Sequence, residues 1–110
     1  MTGEEIREMI RNDFGVDLPI GGGSGTRLHD ALTIHRTEGS NAAAIEHAYL
    51  KHIGLGRGIV WQVMEQALVY HEDRRIDRVT IMALWYEGER LVRQEETYYF
   101  DVTAFFPDHG

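Results

Sequence analysis

The chain predicts an α+β fold in the order α-β-α-β-β-β: a four-stranded mixed sheet, dominated by a long antiparallel three-stranded meander, with two helices packed on one face. Three observations carry that expectation. A capped amphipathic stripe opens the chain, and a second stripe of helical period follows Ser40 and Asn41. From Ile59 to Phe106 the sequence is then rich in Val, Ile, Thr, Tyr, Phe and Trp, broken by two short polar turns. At 110 residues and 43% apolar composition, one hydrophobic core and a single domain over 1–110 are expected.

Thr2 and Glu5 stand at capping-box spacing, Ile6, Met9, Ile10 and Phe14 fall on one stripe, and Gly15 can stop a helix in the left-handed region, so a helix is expected over 3–14. Residues 15–29 contain Pro19 and Gly21-Gly22-Gly23-Ser24-Gly25, which lose extra backbone entropy on ordering and read as a loop. Ala31 to His35 alternates in polarity, which predicts a short strand over 30–36. Ile45, Ala48, Tyr49, His52 and Ile53 share a helical face, with Gly54 as the expected stop.

Three long strands are expected at 59–71, 76–86 and 91–105, with turns at Glu72-Asp73-Arg74-Arg75 and Glu87-Gly88-Glu89-Arg90. The strand at 30–36 then runs parallel to the first and third of these, and the spatial order starts or ends with it.

Even-numbered hairpin loops pair odd positions with even ones. On that rule one face collects Val60, Met64, Leu68, Tyr70, Val79, Ile81, Ala83, Trp85, Val92, Tyr98 and Phe100, and suits packing under the helices. The second face collects Trp61, Val63, Ala67, Val69, Met82, Leu84, Tyr86, Leu91 and Tyr99, mixed with Glu65, Arg78, Arg93, Glu95 and Asp101. Two helices cannot cover both faces, and so much apolar surface exceeds what a monomer ordinarily exposes. The second face is therefore the candidate binding surface, with Trp61, Val63, Glu65, Met82, Leu84, Tyr86, Arg93, Glu95 and Tyr99 as its candidate contact residues. A second copy of the chain is the favoured occupant; another protein, or a bent sheet closing round a small ligand against Trp61, Tyr86 and Tyr99, are the alternatives.

Catalytic chemistry finds little support. Without cysteine there is no thiolate and no Cys-type zinc site. The histidines at 29, 35, 47, 52, 71 and 109 form no i, i+4 pair, and His47 and His52 diverge by about 140° on a helix, so no metal or cofactor is expected. The Gly21–Thr26 run lacks the Lys of a phosphate-binding loop and leads into a strand, not a helix. Glu65, Glu95, Glu96 and Asp101 are carboxylates among aromatics, but Arg78 and Arg93 can pair with them across strands.

A net charge of −7, with Arg74, Arg75 and Arg78 interleaved with Asp73 and Asp77, argues against nucleic acid and favours a basic protein partner. No stretch is apolar enough to span a membrane, and the acidic start at Met1-Thr2-Gly3-Glu4-Glu5 lacks the order of a signal peptide, so a cytoplasmic location is expected. The element order is loosely similar to the cone-shaped NTF2-like and cystatin-like architectures, with one helix fewer than the usual NTF2-like layout; that likeness implies no functional residue. The expected function is a small, soluble, non-catalytic binding domain.

Overall fold

The computed structural model describes residues 1–106, so His109 lies outside the described residues. The chain runs through α1 (Gly3–Phe14), β1 (Ile20–Gly22), β2 (Leu32–Ile34), α2 (Ala42–Arg57), β3 (Val60–His71), β4 (Arg74–Glu87) and β5 (Arg90–Asp101), with short 3₁₀ turns at Leu28–Asp30 and Thr103–Phe105. The sheet is mixed and has five strands, not four, in the order β1-β2-β5-β4-β3. β2 lies parallel to β5, and β5, β4 and β3 form the expected antiparallel meander.

The additional strand comes from the segment expected to be a loop. Ile20 is fully buried, and β1 pairs with β2 from Ile20 against Ile34 to Gly22 against Leu32. Gly21 is there because α1 rests on the strand. A Cβ on Gly3 would overlap the Gly21 carbonyl, and one on Gly21 would stand 2.8 Å from the Glu4 carboxylate and from His35. Glycine inside a strand marks close backbone approach here.

Helix α1 has the expected bounds. Thr2 accepts from the Glu5 amide, the Glu5 carboxylate accepts from the Thr2 amide, and Gly15 closes the helix at φ 68°. Helix α2 is capped by the Asn41 side chain and runs past Gly54 to Arg57. Gly54 therefore does not stop it; that residue is buried against Trp61, where a Cβ would lie 2.9 Å from the ring. The strand expected over 30–36 shrinks to Leu32–Ile34, and the last strand ends at Asp101 rather than 105, because the Asp101 carboxylate accepts from the Thr103 amide and hydroxyl and a 3₁₀ turn starts there.

Both helices pack on one face. Ile6 and Ile10 from α1, with Ile45, Tyr49 and Leu50 from α2, close over Ile20, Leu32, Ile34, Val79, Ile81, Tyr98 and Phe100. Tyr49 meets Phe100 edge-on with ring centroids 5.5 Å apart. The meander outruns this core: the fold is 56 Å along its longest axis. Its β3 edge and the β4–β5 tip lie largely outside the helical cover.

The turns behave as their residues require. Glu72 and Asp73 both take positive φ, 48° and 64°, as a two-residue hairpin turn following the sheet twist demands. The β4–β5 register pairs odd with even throughout, as expected. The β3–β4 register does so only from Glu65 onward, because a β-bulge falls between Val63 and Glu65. One extra residue reverses which side each earlier residue faces.

Candidate functional site

The bulge redistributes the nine candidate contact residues. Trp61 pairs with Ala83 and Val63 with Ile81, so both lie on the helix side and are corrected from the second face. Trp61 packs edge-on against His47 of α2, with ring centroids 5.2 Å apart. Val60 moves the other way, opposite Leu84.

On the second face an apolar cluster forms where the meander outruns the helices. Val60 stands opposite Leu84 and Tyr86 opposite Leu91, while Met82 lies between Gln62 and Glu95. Val60 and Tyr86 are each 70% exposed and Leu91 is 49% exposed. Arg93, opposite Leu84, and Glu95, opposite Met82, flank the cluster, and neither has an ion-pair partner among the described residues.

The far end of this face is different. Leu28, His29, Asp30 and Ala31 line a shared pocket with Ile76, His71 and Asp101 there, and Ile76 is 2% exposed although it stands apart from the core cluster beneath the helices. Tyr99 lies toward this end, opposite Arg78, and Glu65 is held by Arg78 at 3.4 Å. Tyr99 and Leu91 are eight residues apart on β5, roughly 26 Å. Trp61, Tyr86 and Tyr99 consequently do not converge on one ligand: the first is on the opposite face and the other two are at opposite ends.

The helix side carries a second candidate that the sequence reading missed. Ala43, Glu46, His47 and Leu50 of α2 face Val63 and Gln66 of β3 and Val79 of β4 across a groove of about 200 Å³. Glu46 is 4% exposed, and its Oε2 has no hydrogen-bond partner. The Gln66 amide donates to Glu46 Oε1 at 3.4 Å and to Asp77 Oδ2 at 2.6 Å, bridging two carboxyl groups. Burial, and after it the neighbouring Asp77 carboxylate, push Glu46 up to about 9, so it holds a proton at neutral pH. The available signal was helical spacing: Glu46 is four residues before Leu50 and three after Ala43, on the edge of the apolar stripe.

The remaining polar clusters have structural partners. In the glycine-rich segment the Asp30 carboxylate accepts from the Ser24 amide at 3.3 Å and the Ser24 hydroxyl at 2.7 Å, so an internal carboxylate occupies the donors an external anion would need. Those bonds hold Asp30 below the usual carboxylate range. Arg57 grips Glu96 with both terminal nitrogens, at 2.6 and 2.7 Å, and donates to the Tyr98 hydroxyl at 3.2 Å. Asp101 is pushed up by burial but pulled further down by Thr103 and Arg74, which bond it at 2.6 and 2.8 Å. Among the described residues, no three His, Asp or Glu side chains converge as metal ligands, and no helix is long and apolar enough to cross a membrane.

Comparison with protein-family models, curated proteins and solved structures gave no match.

Proposed function

We propose that this chain is a non-catalytic interaction domain that works as a homodimer, two copies stacking the sheet face opposite their helices. The observation that carries the reading is the cluster of exposed Val60, Tyr86 and Leu91 around half-buried Met82 and Leu84, flanked by the oppositely charged Arg93 and Glu95, which have no ion-pair partner among the described residues. In a two-fold contact each residue meets its counterpart's neighbours reciprocally, so Arg93 of one copy can lie against Glu95 of the other on both sides of the axis. Completing the burial of these side chains is worth roughly 5–10 kcal/mol, against association costs of about 4–15 kcal/mol. The most favourable balance, about 6 kcal/mol, corresponds to a dissociation constant of tens of micromolar. The net charge of −7 favours cationic protein partners over nucleic acid for the surfaces left outside this contact.

Sedimentation equilibrium tests the reading. At about 1 mM, well above a dissociation constant of tens of micromolar, the mass is expected to approach twice the 12.6 kDa of the chain. Leu84→Arg should give a folded monomer. Arg93→Glu should weaken the dimer, and adding Glu95→Arg should restore it. A single-chain mass at that concentration, or a dimer indifferent to Leu84→Arg, overturns the proposal.

A further inference from the structure

We propose that the groove between α2 and β3 binds a small organic cation, an alkylammonium or guanidinium group held by Glu46 and Asp77 with its apolar stem against Leu50, Val63 and Val79. The site is already built. A carboxyl group on a helix is 4% exposed, has one oxygen without any partner, and lines a groove of about 200 Å³. A buried oxygen left unpaired costs free energy that a donor entering the groove would recover.

The surroundings define the sign of that donor. Beside Glu46, the titratable group lining the groove is His47 on α2, and β3 contributes Val63 and the neutral Gln66; Asp77 on β4 stands just behind Gln66, whose amide it accepts from, and close enough to Glu46 to raise it. No Lys or Arg pairs with either carboxyl group among the described residues. Gln66, with one amide donor directed at each carboxyl, has none left for the free Glu46 oxygen. An anion would meet two carboxyl groups, and a neutral alcohol would leave Asp77 without a countercharge. An ammonium carries three donors and a guanidinium five, enough to serve both carboxyls at once. The chain's overall charge of −7 raises the local concentration of any cation.

Binding has a proton balance that sets it apart from packing into an apolar slot. The free site holds Glu46 as the acid; the arriving cation stabilises the carboxylate, so the proton leaves to solvent and an ion pair replaces it. Each cation bound near neutral pH should release close to one proton.

The test is a titration with n-butylammonium, followed by amide chemical shifts and, in unbuffered solution, by the base needed to hold pH 7. For about five non-hydrogen atoms a millimolar dissociation constant is expected. Shifts should centre on Ala43–Leu50 and Val63–Gln66, with proton release approaching one per cation. Glu46→Gln, which keeps the shape of the side chain, should abolish proton release and weaken binding at least tenfold; Asp77→Asn should weaken binding while leaving Glu46 in place. A parallel arm compares n-butylguanidinium with a capped tripeptide carrying a central arginine. Tighter binding of the peptide assigns the site to a side chain of a protein partner, and tighter binding of the free cation assigns it to a small molecule. Equal shifts with n-butanol, binding without proton release, or binding unchanged in both variants overturns the proposal. The groove lies on the face opposite the dimer contact, so Leu84→Arg should leave this titration unaltered.

Discussion

Gly54 and Trp61 fit together as a notch and its wedge. A Cβ on Gly54 would sit 2.9 Å from the Trp61 Cδ1 and 3.0 Å from its indole nitrogen, while His47, two turns earlier on the same face of α2, meets the ring edge-on at 5.2 Å. The contact joins the C-terminal half of α2 to the first residues of β3 and fixes where the helix sits over the sheet. It therefore also sets the width of the groove between Glu46 and Gln66.

Two alanine substitutions in the same helix should move stability in opposite directions. Gly54→Ala gains about 1 kcal/mol of helix propensity but forces the packed indole aside, a cost of about 1–3 kcal/mol, so a net loss is expected. Gly56 has nothing within 4 Å of a Cβ, so Gly56→Ala keeps the propensity gain without a clash. Urea denaturation of both variants decides the point. A stabilised Gly54→Ala would mean that the indole is free to move.

Glu46 should make the protein less stable as pH rises. Its folded value of about 9 lies above the ordinary 4.5, so between those limits the folded chain binds a proton that the unfolded chain releases. Stability then falls with rising pH across this window, by about 1.4 kcal/mol per pH unit at most. Glu46→Gln lacks that slope. The two proteins should converge near pH 4 and separate toward pH 8, with the variant the more stable, as measured by urea midpoints across the range. Parallel pH profiles would show that Glu46 is ionised in the fold.

These residues also mark where the sequence is legible. Thr2, Glu5 and Gly15 define α1 fully, because a cap is a local interaction and the residues that make it are three apart. The order of the meander follows from short turns, and the parallel direction of β2 follows from a crossover long enough to hold α2, but the edge it takes, beside β5 and not β3, depends on long-range packing that no local pattern specifies. Gly21 and Gly54 mislead for one reason: each reads locally as a breaker, yet each is glycine because another element touches it. The burial of Glu46 depends on which residues of β3 lie beneath α2, and that depends on a register which no local pattern specifies. Of the nine candidate contact residues, Met82, Leu84, Tyr86, Arg93 and Glu95 stay together because β4 and β5 are joined by a regular hairpin.

Arg57 and Glu96 should contribute stability that acid removes. Arg57, foremost, holds the Glu96 carboxyl below its usual range, with the Tyr98 hydroxyl and Gln94 amide adding to it, and the Glu96 side chain is only 15% exposed. A depressed value means that the stabilisation is complete above the ordinary 4.5 and is lost as pH falls below it. Arg57→Met leaves a half-covered carboxylate with neutral partners and should cost about 1.5–3 kcal/mol at pH 7, the worth of a hydrogen bond to a charged group. The difference from wild type should shrink toward pH 3 in acid titrations followed by circular dichroism. A constant difference would assign the loss to the packing of the Arg57 stem.

Deleting Met64 should close the bulge and leave Trp61 in the core. Val63 pairs with Ile81 and Glu65 with Thr80, so the partners on β4 are consecutive and Met64 is the residue between them that has none. Without it Val63 precedes Glu65 directly, the ladder becomes regular, and Trp61 and Val63 still face the helices. Met64 is 56% exposed, so neither the deletion nor Met64→Ala removes a core contact, and the alanine variant should stay within about 0.5 kcal/mol of wild type. With Trp85→Phe in the background, Trp61 is the sole indole. Its emission should stay in place in both variants. A shift to the red on deletion would mean that β3 slips in register instead of closing the bulge, and that the Gly54 notch does not hold the indole.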